Sequence, residues 1–454
     1  MSNEKTSMNV KVIAADMEKI ALHALETARE LGADDVKIVA SCSFQKRLVV
    51  ENKVFTLANS LESQKFGILV HKDQKKGSAS INTRNPESMT QAIKAALSLA
   101  SYSVPDADLT MATPDIAPAT TPHAFQFDAA TADIGLGEMQ ELMQAGLLAA
   151  TRDPRVSIDK FEFSADTSFH GLYNSRGVRQ SETQTMLNWV LFGMAIDGEE
   201  VSGFDYDSDF SFQRQGAETK LIHTSKEFAR RVLMNLKPRQ APSYKGLVLL
   251  SPRAVEEILT GFVLYQASGS SVMDGKSAWS KAIGSKVMSE HFTLTDAPHD
   301  PRFAGATAFD GDGLPTRDQV IVDKGVLKTH LHDCYSAKRC KSKSNAMNGG
   351  PFAMRVAPGK EDLSDLFRAR KEILVIDRFS GNSDPIKGDF SGVAKSSRLY
   401  VNGEDAGGVT ETMIAGNFFE FADQIAGVSS VTEILSGASE NPWILLDGIS
   451  VTGS

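Results

Sequence analysis

Cysteine is scarce in this chain: its 454 residues hold three, Cys42, Cys334 and Cys340. Any pairing leaves one over, so a disulfide framework is excluded and a reducing compartment is expected. Long apolar runs are missing as well. No stretch approaches the roughly 20 apolar residues that cross a bilayer, and the opening MSNEKTSMNVK lacks the apolar core of an export signal. These absences predict a cytoplasmic protein with no membrane segment. Positive charge is not in excess either, since 48 Lys and Arg stand against 57 Asp and Glu for a formal net charge of -9. Direct nucleic-acid binding would have to work against that overall field. What is present is globular: 41% hydrophobic and 23% charged residues, with a mean hydropathy of -0.19. The length predicts roughly two to four domains.

Periodicity predicts an α+β fold of two similar helix-strands-helix units followed by a β-rich antiparallel C-terminal domain. In the first unit (1–102), Ile13, Met17, Ile20, Ala24, Ala28 and Leu31 share a helical face before Gly32. Strand-like runs follow at 44–50, 54–57, 66–70 and 78–83, and Asn85-Pro86 opens a second helix. Residues 103–125, rich in Pro, Ala and Thr, read as a linker or strap. In the second unit (126–240) the order repeats: helix over 136–151, strands over 161–173 and 183–196, a turn at Asp197-Gly198, and helix over 224–236, where Thr224 and Glu227 have capping-box spacing. A short echo, Leu57-Ala58-Asn59-Ser60 before Phe66-Gly67 against Leu172-Tyr173-Asn174-Ser175 before Phe192-Gly193, suggests duplication. Residues 241–454 then turn to strands and glycine-rich turns, with a short helix over 253–264 and a hairpin turn at Asn402-Gly403.

The most informative segment runs from Phe309 to Gly350. Gln319–Val322 and Val326–His332 predict a hairpin closed by Asp323-Lys324-Gly325, preceded by the acidic turn Asp310-Gly311-Asp312-Gly313 and followed by a basic run and Asn348-Gly349-Gly350. If the second strand continues, His330, His332 and Cys334 share one face and offer two nitrogens and a sulfur to a metal. The plainer reading is a row of side chains on a sheet. Ser270–Ser277 ends like a phosphate loop, but Ser270 occupies the first required glycine position. Asp310, Asp312 and Asp318 do not have EF-hand spacing. Lys338-Arg339-Cys340-Lys341 reads as a solvated helix end or an anion contact rather than a nucleic-acid site. No nucleophile elbow is complete.

FDGDGLPTRD, DKGVLKTHLHDCYSA and the late stretches Val401-Asn402-Gly403-Glu404 and Thr412–Asn417 resemble the TldD/TldE family, also called PmbA or modulator of DNA gyrase. The resemblance extends over nearly the whole chain and implies a zinc-dependent peptidase system. TldD-type members carry an H-E-x-x-x-H helix, whose histidines ligate zinc while the carboxylate activates the bound water. Here the corresponding helix falls near Arg253–Leu264 and has no histidine; none lies between His223 and His291, and no cysteine follows Cys340. Glu256 and Glu257 remain, but adjacent carboxylates leave a helix on different sides. The departure puts catalysis by this chain in doubt and makes it resemble the TldE/PmbA branch, which lacks the zinc motif.

The resemblance therefore implies a subunit with no cofactor of its own and no catalytic residue, paired with a TldD-like, zinc-bearing metallopeptidase subunit or with itself as a dimer. The substrate class is peptide or unfolded protein. Glu256, Glu257, Asp310, Asp312 and Arg317 are expected on the wall of the binding cleft. One alternative is a stand-alone homodimer that binds a peptide or small ligand without cleaving it. Another is a hydrolase whose metal has moved to His330, His332 and Cys334.

Overall fold

The computed structural model describes residues 6–410 and 412–453, so residues 1–5 of the opening stretch weighed above lie outside the described residues. Helix α1 (Thr6–Glu30) buries Val10, Met17, Ala21, Ala24 and Ala28 on one face, and the chain turns at Gly32 with φ 88°. Three antiparallel strands follow, β1 (Asp35–Glu51), β2 (Val54–Lys72) and β3 (Lys75–Ile81), and then α2 (Pro86–Tyr102). As the sequence predicts, the Asn85 side chain caps α2 by accepting Ser88 N–H, with Pro86 at the first position. After a short α3 (Ala129–Asp133) the same order returns: α4 (Leu136–Ala150), β4 (Val156–Asn174), β5 (Arg179–Asp197), the two-residue β6 (Glu200–Val201), β7 (Asp205–Ser211) and α5 (Ala217–Met234).

The two sets form one seven-stranded sheet among the described residues, ordered β3-β2-β1-β4-β5-β6 with β7 also on β5. Its centre is the antiparallel pair β1–β4, continuous from Lys37↔Asn174 to Glu51↔Lys160. Ile38 and Ala40 of β1 and Phe169 of β4 pack with α1 and α2, while Leu48 and Phe161 pack with α4 and α5. These residues share parity along their strands, so all four helices lie on one face. The duplication thus exists in topology. The echo locates it only in part: Phe66-Gly67 and Phe192-Gly193 lie on counterpart strands β2 and β5, but Leu57 and Leu172 lie on β2 and β4, which are not counterparts.

The expected cap at Thr224 is not there. Helix α5 begins seven residues earlier, at Ala217. The Thr224 hydroxyl instead donates to Lys220 O (3.0 Å) and accepts from the buried Trp189 Nε1 (3.1 Å). A tertiary partner within the sheet outcompetes the local capping motif.

Residues 103–123 contain no helix or strand but are tied down at both ends. Asn174 Nδ2 donates to Ala112 O (2.8 Å), Gln180 Nε2 to Pro118 O (2.8 Å), and Tyr335 Oη to Asp106 (2.6 Å).

The C-terminal half opens with β8 (Arg239–Gln240) and β9 (Tyr244–Leu250). The helical segment after β9 starts as α6 (Pro252–Ala254), widens into a π turn over Val255–Thr260 and resumes as α7 (Gly261–Ala267), followed by α8 (Gly269–Met273). Then come β10 (Leu294–Asp296), β11 (Gln319–Asp323), β12 (Val326–Leu327), α9 (Cys334–Arg339) and β13 (Met354–Val356). Strands β14 (Glu372–Ile376), β15 (Arg378–Ser383), β16 (Asp389–Lys395), β17 (Arg398–Val401), β18 (Glu404–Thr410), β19 (Met413–Asn417), β20 (Ile425–Leu435) and β21 (Ser439–Thr452) complete it. Strand β21 ties them together by pairing with β9, β13, β19 and β20. The main core gathers Val248, Leu250, Leu259, Phe262, Val263 and Phe418 around the π segment. The predicted hairpin closes at Lys324 (φ 47°) and Gly325 (φ 76°). A Cβ at Gly325 would stand 2.2 Å from Met288 O, so only glycine fits there. The fold is α+β, with helix-strand units first and a sheet-rich C-terminal half.

Candidate functional site

The two halves meet where the N-terminal end of β7 faces the π turn and β15. At the centre is Asp205, whose side chain is 1% exposed and surrounded by three arginines. Arg231 Nε lies 3.1 Å from Oδ2, Arg253 Nη2 3.3 Å from Oδ1, and Arg378 Nη1 2.8 Å from Oδ1. Burial works to raise this carboxyl, but the three guanidinium groups outweigh it and hold the carboxyl below its usual range. Arg231 also pairs with Asp207 (2.9 Å) and Arg253 with Asp377 (3.3 Å). Burial pushes both of those carboxyls up despite their arginines. Arg253 and Arg378 stack over the Tyr206 ring at 5.3 and 4.6 Å.

The pattern behind this cluster is an alternation of aspartates in the strand DYDSDFS. Asp205, Asp207 and Asp209 alternate along β7, so they share a face. Lys220 and Arg231 on α5 meet them, Lys220 Nζ reaching Asp209 at 3.2 Å.

The π turn carries Glu256 and Glu257 away from each other. Glu256 accepts the Ser439 hydroxyl of β21 (2.9 Å), and Glu257 accepts Phe379 N–H of β15. Burial raises both carboxyls, with these hydrogen bonds opposing it. Nearby, the open polar face of the N-terminal sheet walls a cavity of about 440 Å³ lined by Arg47, Glu162, Asn188, Ser208, Phe210 and Ser436. The turn between β20 and β21 closes it: Ser436 and Ser208 hydroxyls meet at 2.8 Å. Arg47 is neutralised by Glu162 (2.6 Å). Asp166 accepts from Gln45 (2.7 Å), Ser164 (2.7 Å) and Asn188 (3.1 Å). The arrangement presents fixed donors and acceptors to the cavity.

Asp310 and Asp312 lie elsewhere. Asp310 accepts Asp312 N–H (2.9 Å), Leu314 N–H (2.8 Å) and Asn348 N–H (3.0 Å). Burial and the Asp312 charge together push it to about 6. Asp312 takes Cys334 N–H (2.9 Å) and Asn348 Nδ2 (2.7 Å) and pairs with Lys37 of β1 (3.5 Å). The acidic turn therefore latches the C-terminal half onto the first strand. Arg317 is exposed. Glu256 and Glu257 share no hydrogen-bond partner with Asp310 or Asp312 among the described residues.

His330, His332 and Cys334 do not share a strand face, because β12 stops at Leu327 and Cys334 begins α9. The physical reason is capping. Asp333 accepts Ser336 N–H (2.6 Å), and Asn345 satisfies His332 N–H (2.7 Å) and His330 O (2.9 Å), which ends the ladder. His330 Nε2 donates to Trp279 O (2.9 Å) and His332 Nδ1 meets Ser336 Oγ (3.2 Å). The phosphate-loop-like stretch closes over this region: a smaller cavity of about 240 Å³ has Ser268, Ser270, Met273, Asp333 and Ser336 in its wall. The basic run ends α9 as expected, with Lys338 donating to Ala107 O (2.8 Å) and Leu109 O (3.0 Å) of the strap.

Two domain models match the chain: the PmbA/TldA metallopeptidase C-terminal domain over residues 243–453 and the PmbA/TldA metallopeptidase domain 1 over 43–100. The chain belongs to the TldD/TldE/PmbA family. The metalloprotease PmbA homolog of Haemophilus influenzae is 27% identical over 463 residues, covering 99% of each chain. The fold is shared with a Thermotoga maritima protein described as a modulator of a DNA gyrase (TM-score 0.84, 20% identity, 96% of this chain and 100% of that one). It is also shared with TldE of Thermococcus kodakarensis (TM-score 0.83, 20% identity, 96% and 100%). The family is one of metallopeptidases.

The residues at the π turn do not fit the zinc ion that such a family implies. A tetrahedral site draws on imidazole, thiolate or free carboxylate donors. Here the two carboxylates diverge onto Ser439 and Phe379, and Arg253 and Arg378 place positive charge beside them.

Proposed function

We propose that this chain is a PmbA/TldE-type subunit of a peptidase acting on peptides or unfolded proteins, without a catalytic metal site of its own. It works with a TldD-like subunit that carries the zinc and the water-activating glutamate. One observation carries the reading: the helix over Arg253–Leu264, where TldD-type relatives place two histidines, has none. Its glutamates are bound within the C-terminal half instead, to the Ser439 hydroxyl and Phe379 N–H. The chain's own contribution is then the wall of a cleft, where main-chain groups and fixed polar side chains hold an extended peptide. Among the described residues no helix is long and apolar enough to cross a membrane, and we place the complex in the cytoplasm.

Zinc measured on the purified, untagged chain by elemental mass spectrometry, after dialysis against a weak chelator, tests this directly. Far less than one equivalent is expected, with hydrolysis of an unfolded polypeptide appearing only when a zinc-bearing relative is added. Close to one equivalent on this chain alone, with activity, would overturn the reading.

A further inference from the structure

A third cavity, of about 420 Å³, lies beside the Asp205 cluster, where the approach to β7 and the exit of α5 meet β15, β16, β18 and β19. Most of its wall is apolar: Phe204, Pro238, Val393, Val409 and Met413. Phe204 and Met413 are 49% and 45% exposed. Phe204 is held in place by Phe192, stacked on it at 6.0 Å. Among the described residues no carboxylate stands in the wall, and two cations do, Arg378 and Lys395.

Those cations are neighbours. Arg378 of β15 faces Lys395 of β16 in the antiparallel ladder, and side chains so placed leave the same side of the sheet and repel when their charges are alike. The acids nearby do not relieve this. Arg378 Nη1 reaches Asp205 Oδ1 (2.8 Å), but Arg231 and Arg253 share that carboxylate. Each of those two has a second acid, Asp207 or Asp377, whereas Arg378 has no second ion pair among the described residues. Burial raises the Glu257 carboxyl, which also lies close. The Arg378 Nε is buried with no hydrogen-bond partner among the described residues. Lys395 is exposed and forms no ion pair with any of them.

Two facing cations in an apolar wall suit a small acid with an apolar body; an inorganic anion would leave the wall uncovered. Two polar side chains of the wall are also unused. Asn235 donates Nδ2 to Arg231 O (2.9 Å), which leaves its Oδ1 without a donor among the described residues. The Ser396 hydroxyl has no hydrogen-bond partner among them either. An amide group would engage both.

We propose that this cavity binds the carboxy-terminal residue of a peptide. The terminal carboxylate lies between Arg378 and Lys395, the apolar side chain rests against Phe204 and Met413, and the last amide meets Asn235 and Ser396. The choice of a peptide over another apolar acid rests on the peptide-binding reading above; the acid-binding site itself does not.

Calorimetry on the full chain alone, with no zinc-bearing relative, tests it with acetyl-alanyl-alanyl-leucine, the carboxy-terminal amide of that peptide, and decanoate. The free acid is expected to bind about 10-fold to 100-fold more tightly than the amide, the range of a charge-assisted hydrogen bond. K395M should remove most of that difference, and M413D should abolish binding, both with the thermal midpoint of the parent. Equal affinity for acid and amide, or a difference that survives K395M, would overturn the proposal. Decanoate bound as tightly as the acid peptide would make this a fatty-acid site and overturn it too, as would no binding of any probe at millimolar concentration. None of these outcomes depends on zinc content, so the peptidase reading is decided separately by the measurement given above.

Discussion

Lys37 of β1 reaches across to the acidic turn of the C-terminal half, its ammonium 2.9 Å from Gly311 O and 3.5 Å from Asp312. Both charged side chains are mostly buried, at 18% and 15% exposed. Removing the cation leaves a carbonyl unpaired and a buried carboxylate uncompensated. K37M should cost about 1–3 kcal/mol, read as a lower denaturant midpoint, with near-ultraviolet circular dichroism unchanged.

Asp296 gives the stability a pH dependence. One oxygen accepts Phe352 N–H (3.0 Å) and Ala353 N–H (2.7 Å), and the other, buried, has no hydrogen-bond partner among the described residues. Burial pushes the carboxyl up to about 6 from 3.8. Between those two values the folded chain holds a proton that the unfolded chain has released. Its contribution to stability therefore falls as pH rises through that window and is flat above it. Asp310, also at about 6, adds in the same direction. D296N, which keeps the accepting oxygen, should be more stable than the parent above neutrality by about 3 kcal/mol. The gap should close toward pH 4. Melting curves across that range check both statements.

Gly437 sits at the β20–β21 turn with φ 66°, and a Cβ there would stand 1.8 Å from the buried Phe210 ring. G437A should displace the turn from the cavity it closes and lower stability by about 1–3 kcal/mol. Hydrogen exchange should speed up in β7 and in the turn and stay unchanged in α1.

Glu257 distinguishes a structural role from a chemical one. E257Q keeps an acceptor for Phe379 N–H and should be nearly neutral, whereas E257A leaves that buried donor unpaired and should cost about 1–3 kcal/mol. The peptidase activity of the mixed complex should follow stability in both variants. A well-folded E257Q that abolished activity would show that the carboxylate takes part in the chemistry.

The punctuation of the fold was legible in the sequence. Asn85-Pro86, Asp197-Gly198, Lys324-Gly325 and Asn402-Gly403 mark boundaries that local backbone chemistry dictates, and each is found there. Strand lengths were not legible. The run read as Phe44–Val50 is the end of a strand from Asp35 to Glu51. Its face away from the helices carries Lys37, Ser41, Ser43, Gln45 and Arg47, all half-buried, so polar residues concealed the alternation. The candidate site divided in the same way. Glu256 and Glu257 could be located because they sit on a periodic helix. The Asp205 cluster joins α5, β7, α6 and β15, and no window of sequence contains its partners together. His330, His332 and Cys334 misled because a two-residue spacing implies a common face only while the ladder continues, and Asp333 and Asn345 end it.

The central β1–β4 pair has a consequence for biogenesis. The two strands are more than a hundred residues apart in sequence yet form the longest seam between the repeats, from Lys37↔Asn174 to Glu51↔Lys160. Until residue 174 has emerged during synthesis, the first repeat presents β1 as a second open margin beside that of β2. Contacts of such separation form late, and exposed margins are what chaperones bind and what aggregates nucleate on. The duplicated unit was joined at its first strand, so neither repeat can complete its sheet alone, and the nascent chain is most vulnerable while the strap is being made.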